Sequence, residues 1–381
     1  METMKEQINK IFKERFGKNG TLYASAGRIN LIGEHTDYND GFVFPGAIDK
    51  VIMAELAENG TDKVRVFSID IDEYEEFGLR EEDAPTQGWA RYIFGICREI
   101  QKRGGTVKGF DAVFAGNVPL GAGLSSSAAL ESCFAFALND MFNNNAIDKF
   151  ELARIGQSTE HNYCGVNCGI MDQFASVFGR KDHLMRLDCR SMEYEYFPFD
   201  PKGYKLVLVD SRVKHELKDS PYNRRRESCE RVAKELGVKS LRDADMAMLD
   251  AAKDRISEED YKRARYVIGE KQRVIDVCDA LNAGDYKKVG EKMYETHEGL
   301  SKDYEVSCEE LDFLNDVAKE MGVTGSRIMG GGFGGCTINL VSDDLHDRFI
   351  TEAVVRFKEK YGHEPQIYDV IISDGARKVE E

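Results

Sequence analysis

The sequence lacks several features that define common classes of protein. No apolar run is long enough to cross a membrane and no apolar signal region is visible, so we predict a cytoplasmic protein without a membrane partner. The formal net charge is −16, which argues against nucleic acid or an anionic membrane surface as the main partner. A small anionic ligand is still compatible with this charge, because backbone N–H groups can bind it locally.

Signals for metal sites and disulfides are also weak. Of nine cysteines, only Cys164 and Cys168 lie close together, and no second pair stands at zinc spacing. His161 precedes Cys164 by three residues, but an incidental neighbour explains this spacing better than a metal site does. We therefore predict free thiols in a reducing compartment. No GxxxxGK[ST] motif occurs, which argues against a P-loop nucleotide fold.

Length and pattern predict an α+β protein. The chain has 381 residues, 42% of them apolar, which suits two domains or one large domain. Helical spacing in residues 1–17 predicts an amphipathic helix that closes at Gly17, and YKLVLVDS after Pro201 predicts a strand. Strands and helices do not alternate regularly, unlike those of a parallel doubly wound sheet. We place the domains at residues 1–195 and 196–381. In an alternative assignment, the last strand belongs to the first domain.

Residues 116–131, GNVPLGAGLSSSAALE, form the most informative stretch. Gly121 and Gly123 permit turns that a Cβ would hinder. Three serines follow where a helix begins: Ser125, Ser126 and Ser127. A glycine-rich loop that enters a helix N-terminus favours phosphate binding through free N–H groups. The alternative is an ordinary helix with a serine cap, although three serines and two glycines exceed what a cap requires.

A second glycine run occupies residues 330–335. It formally fits GxGxxG, but it precedes a strand near the end of the sequence, whereas a dinucleotide fingerprint follows a strand and opens a helix. A tight turn is the simplest explanation. Five glycines in six residues instead favour close approach of the backbone to a ligand or to another loop.

Residues 27–41, GRINLIGEHTDYNDG, concentrate polar side chains on a predicted loop. Carboxylates and imidazole suit a polyhydroxylated ligand, because they form directional hydrogen bonds with neighbouring hydroxyls. The polar members are Arg28, Glu34, His35, Asp37 and Tyr38. A solvated loop with a turn at residues 39–41 explains the spacing equally well.

Three further features have two interpretations each. Asp172 stands at the start of an apolar helical run, either as a stabilising helix-start carboxylate or as a base beside an arginine. Trp89 and Tyr92 lie one helical turn apart, which is more typical of core packing than of a nucleobase platform. Residues 224–226 are arginines, which favours a solvated helix face over an anion clamp.

Taken together, these motifs resemble those of the GHMP kinases and, among them, the galactokinases. GNVPLGAGLSSSAALE and SRIMGGGFGGCT resemble the second and third motifs of the superfamily. GRINLIGEHTDYNDG resembles the more specific galactokinase signature, and CGIMDQF and SPYNRRRESCE resemble segments with the catalytic aspartate and a sugar-contacting tyrosine. The resemblance implies two α+β domains with the active site between them. It also implies ATP-dependent phosphorylation of α-D-galactose at O1.

The resemblance assigns a role to each matching position. Asp172 would be the base or proton organiser, and Arg28 its electrostatic partner. The sugar would contact Glu34, His35, Asp37, Gly169 and Tyr222. ATP would contact Gly121, Ala122, Gly123, Leu124, Ser125, Ser126, Ser127, Trp89 and Tyr92. Mg²⁺ would be held by Ser127 and Glu160. Met329 departs from the pattern, because many relatives have threonine there, which affects only a minor hydroxyl contact.

The predicted partners are galactose and ATP, and we expect a monomer. Two alternatives stay open at this point. One is a kinase for a related sugar, such as N-acetylgalactosamine or arabinose. The other is a non-catalytic galactose and ATP sensor, which the complete SSSAA sequence and the presence of both Arg28 and Asp172 disfavour.

Overall fold

The computed structural model describes residues 2–213 and 221–380, without the side chains of Pro221 and Tyr222. The helices are α1 (Met4–Phe16), α2 (Gly88–Lys102), α3 (Ser126–Asn143), α4 (Lys149–Thr159), α5 (Met171–Phe178), α6 (Pro221–Leu236), α7 (Met246–Ala251), α8 (Glu258–Asn282), α9 (Tyr286–Glu298), α10 (Glu309–Glu320) and α11 (His346–Tyr361). The strands are β1 (Thr21–Asn30), β2 (Phe42–Val43), β3 (Pro45–Glu58), β4 (Lys63–Ser68), β5 (Glu73–Gly78), β6 (Phe110–Gly116), β7 (His183–Asp188), β8 (Tyr194–Pro198), β9 (Tyr204–Asp210), β10 (Gly325–Ile328), β11 (Cys336–Ser342), β12 (Gln366–Val370) and β13 (Arg377–Lys378).

The first half of the chain is built on a six-stranded sheet. Its strand order is β13-β1-β3-β6-β4-β5, and only the β4–β6 pair is parallel among its described pairings. Helix α1 packs on one face through Ile8 and Phe12, and α2 to α5 cover the other face. The predicted N-terminal helix is confirmed: Thr3 forms a capping box with Glu6, and Gly17 ends the helix at φ 67°.

The second half contains a four-stranded sheet in the order β10-β11-β9-β12. The predicted strand YKLVLVDS forms the inner strand β9, and its side chains alternate between two cores. Val207 and Val209 pack with α10 and α11, while Leu206 and Leu208 join the large core that continues into the first half. This period of two is what a strand covered on both faces requires. The mixed α+β architecture predicted from the sequence is confirmed.

The two halves are closely connected. β13, near the end of the chain, pairs with β1 in the first sheet, and a three-stranded sheet pairs β2 with β7 and β8. Helices α6 and α8 form a layer around Tyr304 and Ile328 beside the second sheet. None of the helices in residues 2–213 and 221–380 has the length and apolar character needed to cross a bilayer.

Candidate active site

A cavity of about 500 Å³ lies where loops of the two halves meet. It is bordered by the loop after β1, the glycine-rich segment before α3, the start of α5 and the glycine run between β10 and β11. Thirteen of the predicted site residues line it: Arg28, Glu34, His35, Asp37, Gly121, Gly123, Leu124, Ser125, Ser126, Ser127, Glu160, Gly169 and Asp172. The four separate sequence motifs therefore converge on one site.

Arg28 and Asp172 form an ion pair at the centre of this site. The strand register is irregular between Ala26 and Arg28, an interruption that redirects side chains at the end of a strand. Arg28 Nε donates to Asp172 Oδ1 at 2.8 Å, and the side chains are 5% and 30% exposed. Arg28 Nη1 also donates to the carbonyl of Gly123 at 2.5 Å. The buried guanidinium therefore holds both the carboxylate and the glycine-rich loop.

Ser125 explains why α3 begins without a side-chain cap. It has a left-handed backbone (φ 58°), which is uncommon for a residue other than glycine. Its hydroxyl donates to Asp172 Oδ2 at 2.5 Å instead of bonding to the helix, and no side chain of the described residues caps α3. The first N–H groups of α3 are consequently available to an anion. This geometry favours the phosphate interpretation over the ordinary serine cap.

Ser127 and Glu160 form a second pair of polar side chains that line the cavity. Ser127 Oγ donates to Glu160 Oε1 at 2.9 Å, and Glu160 begins a π-helical turn, Glu160–Cys164. Burial raises the pKa of Glu160 above its usual value; the hydrogen bond from Ser127 opposes this shift, and repulsion from Asp172 adds to it. Behind it, burial and the charge of Glu160 raise the pKa of Glu131 well above its usual value. Carboxylates this close together repel each other, and a bound cation would relieve that repulsion.

Gln173 links the two buried carboxylates. Its Nε2 donates to Glu131 Oε2 at 3.0 Å and lies 3.4 Å from Glu160 Oε1. The described residues contain no group of three or more His, Cys, Asp or Glu side chains arranged around a common metal position. A Mg²⁺ ion does not need such a group, because it commonly takes one or two protein carboxylates together with phosphate oxygens and water. The Ser127–Glu160 pair fits this pattern.

The loop after β1 contributes the opposite wall. Asp37 begins a short helical turn, Asp37–Asn39, and burial, then the charges of Asp172 and Glu34, raises its pKa to about 6. A Cβ on Gly169 would lie 1.8 Å from Asp37 Oδ2. Gly169 thus provides the space that the Asp37 carboxylate occupies.

His35 is held in one tautomer by its neighbours. Nε2 lies 3.2 Å from the carbonyl oxygen of Gly331, which can only accept, so Nε2 carries the hydrogen. Nδ1, 2.8 Å from the hydroxyl of Tyr38, therefore accepts. Burial lowers the pKa of His35 to about 3, which keeps the ring neutral. The imidazole joins the β1 loop to the second glycine run.

The second glycine run packs against the first. Gly330 and Gly335 have φ values of 82° and 80°, and a Cβ on them would lie 3.6–3.9 Å from backbone atoms of Ala122 and Gly123. Those distances are ordinary contacts, so the left-handed backbone, rather than lack of space, favours glycine at both positions. The sequence predicts that this run lies close to a ligand or to another loop. In the structure it lies next to the first glycine-rich loop, in agreement with that prediction.

Four of the predicted site residues are not among the described residues that line the cavity: Ala122, Trp89, Tyr92 and Tyr222. Ala122 is buried behind the loop surface. Neither Trp89 nor Tyr92 is among the described residues that line the cavity: Trp89 Nε1 donates to Glu73 Oε2 at 2.6 Å, and Tyr92 is partly buried against the core. The predicted adenine contact of these two aromatics stays a prediction. The side chain of Tyr222 lies outside the described residues.

Sequence reasoning missed Glu131, Gln173 and Arg327. Glu131 stands within the serine-rich motif, and Gln173 follows Asp172 directly. Their positions inside or next to a recognisable motif could have identified both residues as site candidates. Arg327 precedes the second glycine run and is completely buried. No local pattern indicates that burial, because its partners come from the other end of the chain.

Known families match three segments of the chain. The N-terminal domain of GHMP kinases matches residues 91–180, and the C-terminal domain of GHMP kinases matches residues 278–360. The structure of Methanococcus jannaschii mevalonate kinase is similar in fold, with a TM-score of 0.66 and 17% identity over 94% of this chain and 100% of that one. Fold and site thus define a GHMP kinase, a class of phosphotransferase with the active site between two α+β domains.

More specific matches follow from the sugar-side motif. The galactokinase galactose-binding signature matches residues 10–58. The chain is 42% identical to the galactokinase of Thermotoga petrophila over 93% of this chain and 98% of that protein. It is 40% identical to that of Bacillus subtilis over 99% of both. The structure of Lactococcus lactis galactokinase complexed with galactose is 34% identical, with a TM-score of 0.94 over 99% of this chain and 100% of that one. The chain belongs to the galactokinase family.

Proposed function

We propose that this chain transfers the γ-phosphoryl group of ATP to O1 of α-D-galactose, giving galactose 1-phosphate and ADP. The observation that carries the proposal is the position of Asp172. Its carboxylate is held by Arg28 and Ser125 between the uncapped N-terminus of α3 and the polar loop after β1. Membership of the galactokinase family supports the choice of sugar.

In the proposed reaction, Asp172 receives the proton of the O1 hydroxyl as the bond between O1 and the γ-phosphorus forms. The bond from that phosphorus to the bridging oxygen breaks, and ADP leaves with its electron pair. An anomeric hydroxyl is more acidic than an ordinary alcohol, so a carboxylate is an adequate base. Arg28, paired with Asp172, offsets negative charge that develops in the transition state.

The sugar would lie against the β1 loop. Asp37 and Glu34 border the cavity there, and their oxygens can accept hydrogen bonds from hydroxyl groups. Gly169 leaves room for the Asp37 carboxylate, so its proposed contribution is to shape the sugar site. The matching motif makes Tyr222 a further candidate for a sugar contact. His35 would act mainly on the loop geometry, because its ring bonds to Tyr38 and Gly331.

The phosphates of ATP would bind the N–H groups of residues 121–127 at the start of α3. Ser127 and Glu160 offer a hydroxyl and a carboxylate oxygen, which are ligand types that Mg²⁺ prefers. When bound, Mg²⁺ would neutralise phosphate charge. Mg²⁺ dependence, a cytoplasmic location, a monomeric state and the limits of the two domains remain predictions from the sequence.

A coupled assay for ADP release tests the proposal over a panel of sugars and other GHMP kinase substrates. The panel contains galactose, N-acetylgalactosamine, arabinose, glucose, mevalonate and homoserine. We expect turnover with galactose to exceed that with every other compound. A preference for another sugar would refute the substrate assignment. Tight binding of galactose and ATP without turnover would refute the enzymatic reaction and favour a sensor.

A further inference from the structure

Arg327 connects the second half of the molecule to the loop after β1 through a completely buried guanidinium. Its Nε donates to the carbonyl of Leu31 at 2.9 Å, and Nη2 donates to the carbonyl of Asn30. Nη1 donates to Glu34 Oε2 at 2.9 Å and to the carbonyl of Ile328 at 2.6 Å. One arginine on β10 thus fixes both the backbone and the carboxylate of the loop proposed to bind the sugar.

Glu34 is nearly saturated by internal donors. Oε2 accepts from Arg327 Nη1 and from the N–H of Gly330, each at 2.9 Å. Oε1 accepts from Asn30 Nδ2 at 2.9 Å. An ionised carboxylate offers about four acceptor positions, so donors among the described residues occupy three of them. Glu34 also lines the cavity, which leaves about one acceptor position, on Oε1, for a ligand.

We propose that Arg327 is a positioning residue that fixes the Glu34 carboxylate so that it accepts from one sugar hydroxyl and thereby selects for that hydroxyl. This inference rests on the proposed function. An unconstrained glutamate could rotate toward any of several neighbouring hydroxyls. A carboxylate held by three donors keeps one direction, and a ligand without a hydroxyl there leaves a buried acceptor unsatisfied, which is what gives hydrogen-bonded sites their selectivity.

Monodeoxy derivatives of galactose provide the direct test. For the wild-type protein, we expect one deoxy position to weaken binding by roughly tenfold or more, the typical effect of losing a hydrogen bond to a charged group. In Arg327→Lys, an ammonium group cannot reproduce the planar set of donors. The penalty at that position should then fall to about twofold while the KM for ATP changes little. Retention of the full penalty in Arg327→Lys would overturn the proposal.

A double-mutant cycle separates this role from simple stabilisation. If Arg327 acts through Glu34, Arg327→Lys should have little further effect on galactose binding in a Glu34→Gln background. Additive losses would contradict the proposal. If Arg327→Lys does not fold, Glu34→Gln/Arg327→Met removes the charge from both partners. That variant is expected to lose the deoxy penalty, and a retained penalty would again refute the role.

Arg65→Met is the matched control. Arg65 pairs with the buried carboxylate of Asp111 on the first sheet, and neither residue lines the cavity. This variant should be less stable yet keep the wild-type deoxy penalty; loss of the penalty here would assign it to instability and refute the proposal. Urea unfolding of the ligand-free Arg327 and Glu34 variants tests the pair independently of any sugar. Additive effects on unfolding would disprove the coupling even if the proposed substrate proved wrong.

Discussion

The site contains two arginine–carboxylate pairs with different surroundings. Arg28 and Asp172 are 5% and 30% exposed, and the carboxylate faces the cavity. Arg327 and Glu34 are 0% and 2% exposed, and the carboxylate is surrounded by donors from its own protein. The ionic chemistry is the same, but one carboxylate is open to a ligand and the other is mostly occupied.

This difference separates two functions of an ion pair. A carboxylate that exchanges a proton with a substrate needs access and room for its bonds to change. A carboxylate that sets geometry gains from having its acceptors filled, because each donor reduces its freedom to rotate. We therefore expect mutations at the open pair to change the rate, and mutations at the closed pair to change stability and selectivity.

The largest effect is expected from Asp172→Asn. The amide keeps the shape of the side chain but cannot take up the proton, so turnover should fall by roughly 10²- to 10⁴-fold. Folding should be weakened by about 1–3 kcal/mol, because the amide can still accept a hydrogen bond but the buried Arg28 loses its counter-charge. Steady-state ADP release and urea unfolding measure the two effects.

Asp347→Asn is the matched control for this variant. Asp347 also lies in the first turn of a helix, α11, and does not line the cavity. It should keep the wild-type rate. A wild-type rate in Asp172→Asn would remove Asp172 from the proposed mechanism.

The next prediction compares Arg28→Met with Arg327→Met in the ligand-free protein. Removing Arg327 leaves a buried carboxylate without its cation, which typically costs about 3–5 kcal/mol of unfolding free energy. Removing Arg28 should cost nearer to about 1 kcal/mol, because Asp172 keeps its bond to Ser125 and its access to the cavity. Urea unfolding of both variants measures the difference. Equal losses would contradict the division between an open and a closed pair.

The open pair could be predicted from the sequence, and the closed pair could not. Arg28 and Asp172 stand inside recognisable motifs, and their residue types already suggest chemistry. Arg327 looks like an ordinary charged residue at the end of a short strand. Its burial depends on carbonyls of Asn30 and Leu31, almost 300 residues away in sequence, which approach only when the sheets assemble. Periodicity cannot report such a contact.

The start of α3 also depends on a tertiary contact that the sequence does not reveal. The serine-rich motif correctly predicted a helix start, and α3 begins at Ser126. The sequence could not decide between a cap and an anion site, because serine favours both. The left-handed conformation of Ser125 and its bond to Asp172 decide in favour of the open N-terminus. Those features depend on tertiary contact with α5.

Gly169→Ala tests how the sugar side depends on space. The new Cβ would overlap Asp37 Oδ2, so the carboxylate must rotate away from its position in the cavity. We expect the affinity for galactose to fall by roughly 10- to 100-fold, as for the loss of one hydrogen bond to a charged group. Calorimetric titration with galactose measures the effect.

Gly88→Ala serves as its control, because a Cβ there would have nothing within 4 Å. It should keep the wild-type affinity. Unchanged affinity in Gly169→Ala would show that Asp37 does not bind the sugar from its observed position. The Arg28–Asp172 pair should be unaffected in either variant.

The smallest effect concerns the pH dependence of sugar binding. The pKa of Asp37 is raised to about 6, so this carboxyl takes up a proton at a higher pH than an ordinary aspartate. The ionised form accepts hydrogen bonds at both oxygens, whereas the protonated form has lost part of that capacity. The affinity for galactose should therefore be constant above about pH 7 and fall as the pH decreases through 6, by at most about tenfold per unit for one proton. Glu160 lines the same cavity and its pKa is also raised in the ligand-free protein, so the Asp37→Asn variant is needed to separate the two carboxyl groups. Asp37→Asn should bind more weakly at pH 8 and show no such decrease, and a persistent decrease in this variant would assign the titration to another group.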